Sequence, residues 1–212
     1  KYGDVTIDDQ PATNPAQKIS GSETICIDGS AISLAQNRYF MLNKPAGVVS
    51  ATKDNNNSTA LDLIYEHRSA ELQIAGRLDI DTTGLLLITD DGKWNHRLTS
   101  PRSNCQKIYR VTLGIPITPD YREKLANGVW LEGEKHPCLP ATMEVIDDQT
   151  VMLSIAEGKY HQVKRMFAAL GNHVEALHRT QVGGIILDES LEPGDYRALT
   201  EAEVASIMAA TA

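Results

Sequence analysis

The sequence predicts an α+β fold built on a mixed, largely antiparallel sheet, and three observations lead there. Leu85-Leu86-Leu87-Ile88-Thr89 is a short continuous apolar run of strand length. Gln106 to Leu113 alternates in polarity, as a strand with one buried face does. The helical stretches are short, and strands and helices do not alternate in the strict βαβ rhythm of a doubly wound sheet.

Taken in order, Val5-Thr6-Ile7, the turn Asp8-Asp9-Gln10-Pro11, and Ile25-Cys26-Ile27 closed by Asp28-Gly29 read as short strands and turns. Residues 1–30 are too few to bury a core alone. Ser30 to Asn37 is small and polar, which places a linker at 31–37 and a main domain at 38–212. Arg38 to Asn43 opens that domain as a strand ended by Lys44-Pro45-Ala46-Gly47. The Asn-rich stretch Thr52 to Thr59 reads as a mobile loop. Asp91-Gly92 starts a helix through about Leu98, stopped by Ser100-Pro101. Thr118-Pro119-Asp120 marks another start, with Thr118 as N-cap and Pro119 at the first helical position, ending near Asn127-Gly128. Strands follow at Ala141–Ile146 and Val151–Ile155. From His161 to Leu170, Val163, Met166, Phe167 and Leu170 fall on one helix face, and Gly171 is a natural C-cap. His173–Leu177 and Gly184–Leu187 complete the strands.

Composition narrows the function classes. Apolar residues make up 42% and charged residues 23%, ordinary for a globular chain, and no apolar stretch has membrane-spanning length. Cys26, Cys105 and Cys138 form no ligand spacing for zinc, and so sparse a set fits a reducing cytoplasm. The net charge of −8 argues against nucleic acid as a partner until its distribution is read. Lys93 to Arg110 holds five basic residues (Lys93, Arg97, Arg102, Lys107 and Arg110) and no acid. Gly158 to Gln181 holds Lys159, Lys164, Arg165 and Arg179 against Glu175 alone, while acids crowd the C-terminal end.

The most informative segment is Gly76-Arg77-Leu78-Asp79-Ile80-Asp81-Thr82-Thr83-Gly84, just before the apolar run. Charges held against a core are costly unless paired or used. Asp79-x-Asp81-x-Thr83 admits three readings on its own. It is a partial calcium loop with a weak third ligand, a phosphatase-type Asp-x-Asp-x-Thr lacking the apolar strand that should precede it, or a capped surface turn with Arg77 pairing Asp79.

Three further segments bear on that choice: Asn43-Lys44-Pro45-Ala46-Gly47, Lys107-Ile108-Tyr109-Arg110-Val111, and Glu157-Gly158-Lys159-Tyr160-His161-Gln162-Val163-Lys164-Arg165-Met166. Together with Gly76 to Asp91, in this order, they resemble the motifs of the pseudouridine synthases that carry a Gly-Arg-Leu-Asp segment. Gly3 to Asp8 and Glu23 to Gly29 resemble the second half of an S4 RNA-binding module, without the two basic helices that open it.

The resemblance implies a pseudouridine synthase catalytic domain behind a partial S4-like module. It implies isomerisation of a uridine in 16S ribosomal RNA, uridine 516, with base flipping and no cofactor or metal. The partner is the 16S rRNA or a small-subunit ribonucleoprotein, and the enzyme a cytoplasmic monomer. Asp79 is the implied reactive carboxylate, Lys164 its cation (with Arg165 the neighbour that would otherwise serve) and Tyr109 the ring that stacks on the uracil. Arg77, Arg97, Arg102, Lys107, Arg110, Arg165 and Arg179 are the candidate RNA contacts. A non-catalytic RNA-binding protein on the same fold is the competing class.

Overall fold

The computed structural model describes residues 4–19, 23–32 and 37–209. The chain divides into two compact units, 1–37 and 38–212.

The first unit is a four-stranded antiparallel sheet of β1 (Val5–Ile7), β2 (Gln10–Pro11), β3 (Ile25–Ile27) and β4 (Ser30–Ile32), in the order β2-β1-β3-β4. Positive φ at Asp8 and Asp9 and at Asp28-Gly29 turns the chain tightly between partners. The expected linker is therefore corrected at its start. Ser30, Ala31 and Ile32 pair with Ile27, Cys26 and Ile25, because the Asp28-Gly29 turn returns the chain as a hairpin. Residues 33–36 of that linker, and Gly3 of the S4-like motif, lie outside the described residues.

The second unit is organised on one sheet. Its elements are β5 (Tyr39–Lys44), β6 (Gln73–Ala75), β7 (Thr83–Thr89), α1 (Gly92–Thr99), β8 (Lys107–Leu113), α2 (Tyr121–Ala126), β9 (Thr142–Val145), β10 (Thr150–Ile155), α3 (Gln162–Ala169), β11 (Val174–Val182), β12 (Ile185–Ile186), β13 (Tyr196–Ala198) and α4 (Glu201–Ala209). The strand order is β13-β5-β7-β11-β8-β10-β9, with β6 also on β7 and β12 also on β11. The pair β7–β11 is parallel and the other pairs are antiparallel, which is the mixed, largely antiparallel α+β sheet expected.

The continuous apolar run of β7 follows from its burial on both faces. Leu86 and Ile88 face one core with Phe40, Tyr109, Val111, Met166 and Phe167. Leu85 and Leu87 face another with Met41, Trp94, Leu98, Val182 and Ile207. All four β7 side chains are fully buried, each worth roughly 1.5–3 kcal/mol. Gly84 has φ +98°, and a Cβ there would stand 2.3 Å from the Arg179 carbonyl oxygen. Glycine is thus what allows β7 to approach β11 at this point.

Helix α1 is capped as the sequence implies, with the Asp91 carboxylate accepting from Lys93 N and Trp94 N. Helix α2 starts later than expected. Asp120 occupies its N-cap position, and the Thr118 hydroxyl is bonded to the Asp120 carboxylate instead of to a helix N–H. Helix α3 buries Val163, Met166 and Phe167, and Gly171 ends it at φ +81°. Strand β11 is longer than the His173–Leu177 segment expected and carries Arg179 into the sheet. No described helix is long and apolar enough to cross a membrane.

Candidate active site

Asp79 sits in the turn between β6 and β7, and its backbone is held from several sides. The Ser50 hydroxyl donates to Leu78 O at 2.8 Å and accepts from Leu78 N at 3.0 Å. Gly47 N donates to Ile80 O at 2.8 Å. The fully buried Lys44 ammonium donates to Pro45 O at 2.9 Å, Thr82 O at 2.8 Å and Ile80 O at 3.3 Å. Burial lowers the Lys44 pKa to about 8, against the opposing pull of Asp81 and Asp79. The Asn43-Lys44-Pro45-Ala46-Gly47 segment is thereby a clamp on the Asp79 turn.

The turn borders a cleft of about 700 Å³, a size suited to a small ligand or one nucleotide. Across it, the start of α3 brings Lys164. Its Nζ lies 3.4 Å from Asp79 Oδ2, and 2.6 and 2.8 Å from the two oxygens of Asp81. Asp81 is thus the nearer partner, although its side chain is 66% exposed against 29% for Asp79. The hydrogen bond from Lys164 holds the Asp81 pKa below the usual carboxylate range. Burial works against the Lys164 charge, but the Asp81 hydrogen bond and the Asp79 and Asp81 charges outweigh it and raise its pKa. His161 Nε2 lies 3.5 Å from Asp79 Oδ1.

The structure brings Asp79, Lys164 and Tyr109 to this one cleft, with exposed Arg77 on its rim. Tyr109 is 8% exposed, one face of its strand being shared between the core and the cleft wall. Arg165 points elsewhere: its guanidinium donates to Glu134 Oε1 at 2.9 Å and to the carbonyls of Tyr160 and Glu132. Among the described residues no His, Cys, Asp and Glu group of three or more is placed to hold a metal ion.

Two of the expected RNA contacts, Arg179 and Lys107, line the cleft as buried side chains. Arg179 is 1% exposed, and its guanidinium donates to Leu85 O and Gly76 O, each at 2.8 Å. It braces the turn from beneath while bordering the cleft. Lys107 is buried and donates to Cys105 O at 2.8 Å, and burial lowers its pKa. Both lie on inward-facing strand positions, which a count of basic residues along the chain does not reveal. Arg110 is exposed on the sheet face opposite Tyr109. Arg97 lines a second cavity, of about 290 Å³, with Cys105 and Gly183, and Arg102 is exposed beyond α1.

The sequence placed Asp81, His161 and Lys44 in the informative segments without giving them a reactive role, and did not single out Ser50. For Lys44 a signal existed, since it closes a strand whose preceding residues are all apolar or amide. A lysine there is either a strand end in water or a buried donor.

Residues 38–169 match the family model described as RNA pseudouridylate synthase. The chain is 56% identical over 209 residues to the ribosomal small subunit pseudouridine synthase A of Vibrio cholerae serotype O1, spanning 98% of this chain and 90% of that protein. It is 51% identical over 205 residues to the protein of the same name from Escherichia coli K12, spanning 96% and 89%. A solved structure described as a pseudouridylate synthase superposes with TM-score 0.79 at 45% identity, covering 97% of this chain and 89% of that one. Asp79, Tyr109 and Lys164 all fall within the matched region, and the chain belongs to the RNA pseudouridylate synthase family.

Proposed function

We propose that this protein isomerises a uridine of small-subunit ribosomal RNA, uridine 516 of the 16S rRNA, to pseudouridine. The observation that carries the reading is one carboxylate, Asp79, facing a lysine at 3.4 Å in a nucleotide-sized cleft walled by Tyr109. The resemblance to the small-subunit synthases supplies the RNA.

The reaction breaks the N1–C1′ bond, turns the uracil and joins C5 to C1′. The proton on C5 is lost to water and N1 gains one, so nothing is oxidised and no external group is transferred. It calls for no cofactor. A carboxylate can serve by attacking C1′ or by taking the C2′ proton, and Asp79 is the group for either route. Lys164 keeps it anionic when RNA covers the cleft. Tyr109 offers the flipped uracil a ring face, worth roughly 1–3 kcal/mol. Lys44, Ser50 and Arg179 hold the turn that aims Asp79. Arg77 on the rim contacts the RNA backbone, and half-buried Arg97 with exposed Arg102 and Arg110 extends the contact beyond the cleft. The sheet at residues 4–32 acts as part of an S4-like RNA-binding module. The enzyme acts on ribosomal RNA as a cytoplasmic monomer.

Mapping which nucleotide becomes pseudouridine when the purified protein meets 16S RNA, with and without ribosomal proteins, tests this reading. Conversion at uridine 516 is the expected result, and no pseudouridine under either condition contradicts it.

A further inference from the structure

Tyr160 stands at the cleft rim with 71% of its residue surface exposed, unusual for a ring that could pack inward. It is not loose. One face of the ring lies on the imidazole of His161, with centroids 3.8 Å apart and planes 19° from parallel. The backbone beneath is fixed: Arg165 donates to Tyr160 O at 3.0 Å. Buried Gln162 accepts from Lys159 N at 2.8 Å and donates to Glu157 Oε1 at 2.8 Å. His161 itself has φ +47°, a left-handed conformation that a residue with a Cβ adopts at a cost. That conformation sets the imidazole between the Tyr160 ring and Asp79, 3.5 Å from Asp79 Oδ1.

A rigid aromatic with one face covered and the other open, one residue from a group touching the reactive carboxylate, is a stacking platform. Taking a uridine out of a stack leaves the neighbouring base with a bare face. Tyr109, buried in the cleft wall, can meet only the flipped base. We propose that Tyr160, backed by His161, receives the unpaired base of the nucleotide next to the reacting uridine. The platform replaces the stacking partner which that base loses on flipping. The inference rests on the RNA-isomerase reading above.

The test is a cycle between protein and RNA. The probe is a 16S rRNA fragment carrying the target uridine, with each neighbouring nucleotide in turn replaced by an abasic ribose. Tyr160→Ala should weaken binding and raise KM by about 5- to 150-fold, the range of one base–aromatic stack, with kcat changed less than about twofold. Tyr160→Phe should restore affinity. One abasic position should cost the wild type a similar factor and cost Tyr160→Ala nothing further. Losses that multiply at both positions, or an Ala variant that binds like wild type, overturn the platform and turn the ring toward another partner, such as a protein. Wild-type conversion of the intact fragment is measured alongside. If it is absent, the isomerase reading fails. If it is present while the cycle shows no coupling, only the platform fails.

Discussion

Lys164→Met separates a cation that serves Asp79 from one that serves the RNA backbone. Nζ and Asp79 Oδ2 are 3.4 Å apart, and the two side chains are 27% and 29% exposed. At that distance the attraction is about 5 kcal/mol at an effective dielectric of 20 and about 1 kcal/mol at that of water. RNA lying over the cleft displaces water and moves the pair toward the larger value. Loss of the charge should therefore lower turnover by about 100- to 1000-fold, that is, about 3–4 kcal/mol. RNA affinity should change less than about threefold. Single-turnover tritium release measures the first and filter binding in the same buffer the second, with Lys164→Arg expected to keep much of the rate. Asp81 supplies the internal control, being the nearer partner at 2.6 Å. Asp81→Asn frees the ammonium for Asp79 and should leave turnover intact. In Lys164→Met the Asp81 carboxyl should titrate higher than in the wild type, since the hydrogen bond that lowers it is gone. Equal losses in rate and affinity would place Lys164 on the phosphate surface. A collapse in Asp81→Asn would make Asp81 the essential carboxylate.

Three further outcomes follow from the scaffold. Lys44→Met removes the ammonium from the Thr82 carbonyl and leaves Ile80 O with Gly47 N alone, and should lower stability by about 1–3 kcal/mol in urea melts, cutting turnover more than affinity. The folded-state pKa of Lys44, about 8, lies below its ordinary 10.5, so between those values the unfolded chain holds a proton the folded one has released. Wild-type stability therefore gains on the variant as pH rises through that window. Gly84→Ala puts a methyl against Arg179 O in a backbone of φ +98° and should lower stability by about 3 kcal/mol or more, read as a fall in Tm. Arg197 bridges Asp188 at 2.7 Å and Glu203 at 2.9 Å, and both carboxyls titrate at about 2, Asp188 held chiefly by Ser190 and Glu203 by Arg197. Such depressed groups stabilise above the usual carboxylate range and lose that effect as pH falls. Arg197→Met should be the less stable protein at pH 7, with the two acid-unfolding curves converging by about pH 2.

Periodicity made the sheet legible. Leu85 to Ile88 could be read as a central strand because it is apolar on both faces, and the alternation of Gln106 to Leu113 marked a strand with one buried face. The same alternation places Lys107 inward and Arg110 outward, yet a charged residue invites a surface role, and only the packing shows Lys107 bonded to Cys105 O. Arg179 was illegible for a different reason. Its burial depends on β11 running parallel to β7 beside Gly84, a long-range pairing with no local signature. The Asp79–Lys164 approach joins residues 85 positions apart, so motif resemblance could suggest it but spacing could not. The preference of Lys164 for Asp81 is the difference between 3.4 and 2.6 Å, which no sequence pattern resolves.

The central claim is that Asp79 is the reacting carboxylate, and tritium release from [5-³H]uridine-labelled 16S RNA by wild type and Asp79→Ala tests it most directly. The wild type should release tritium as pseudouridine forms, and Asp79→Ala should bind the same RNA and release none. Release surviving in Asp79→Ala would contradict the account.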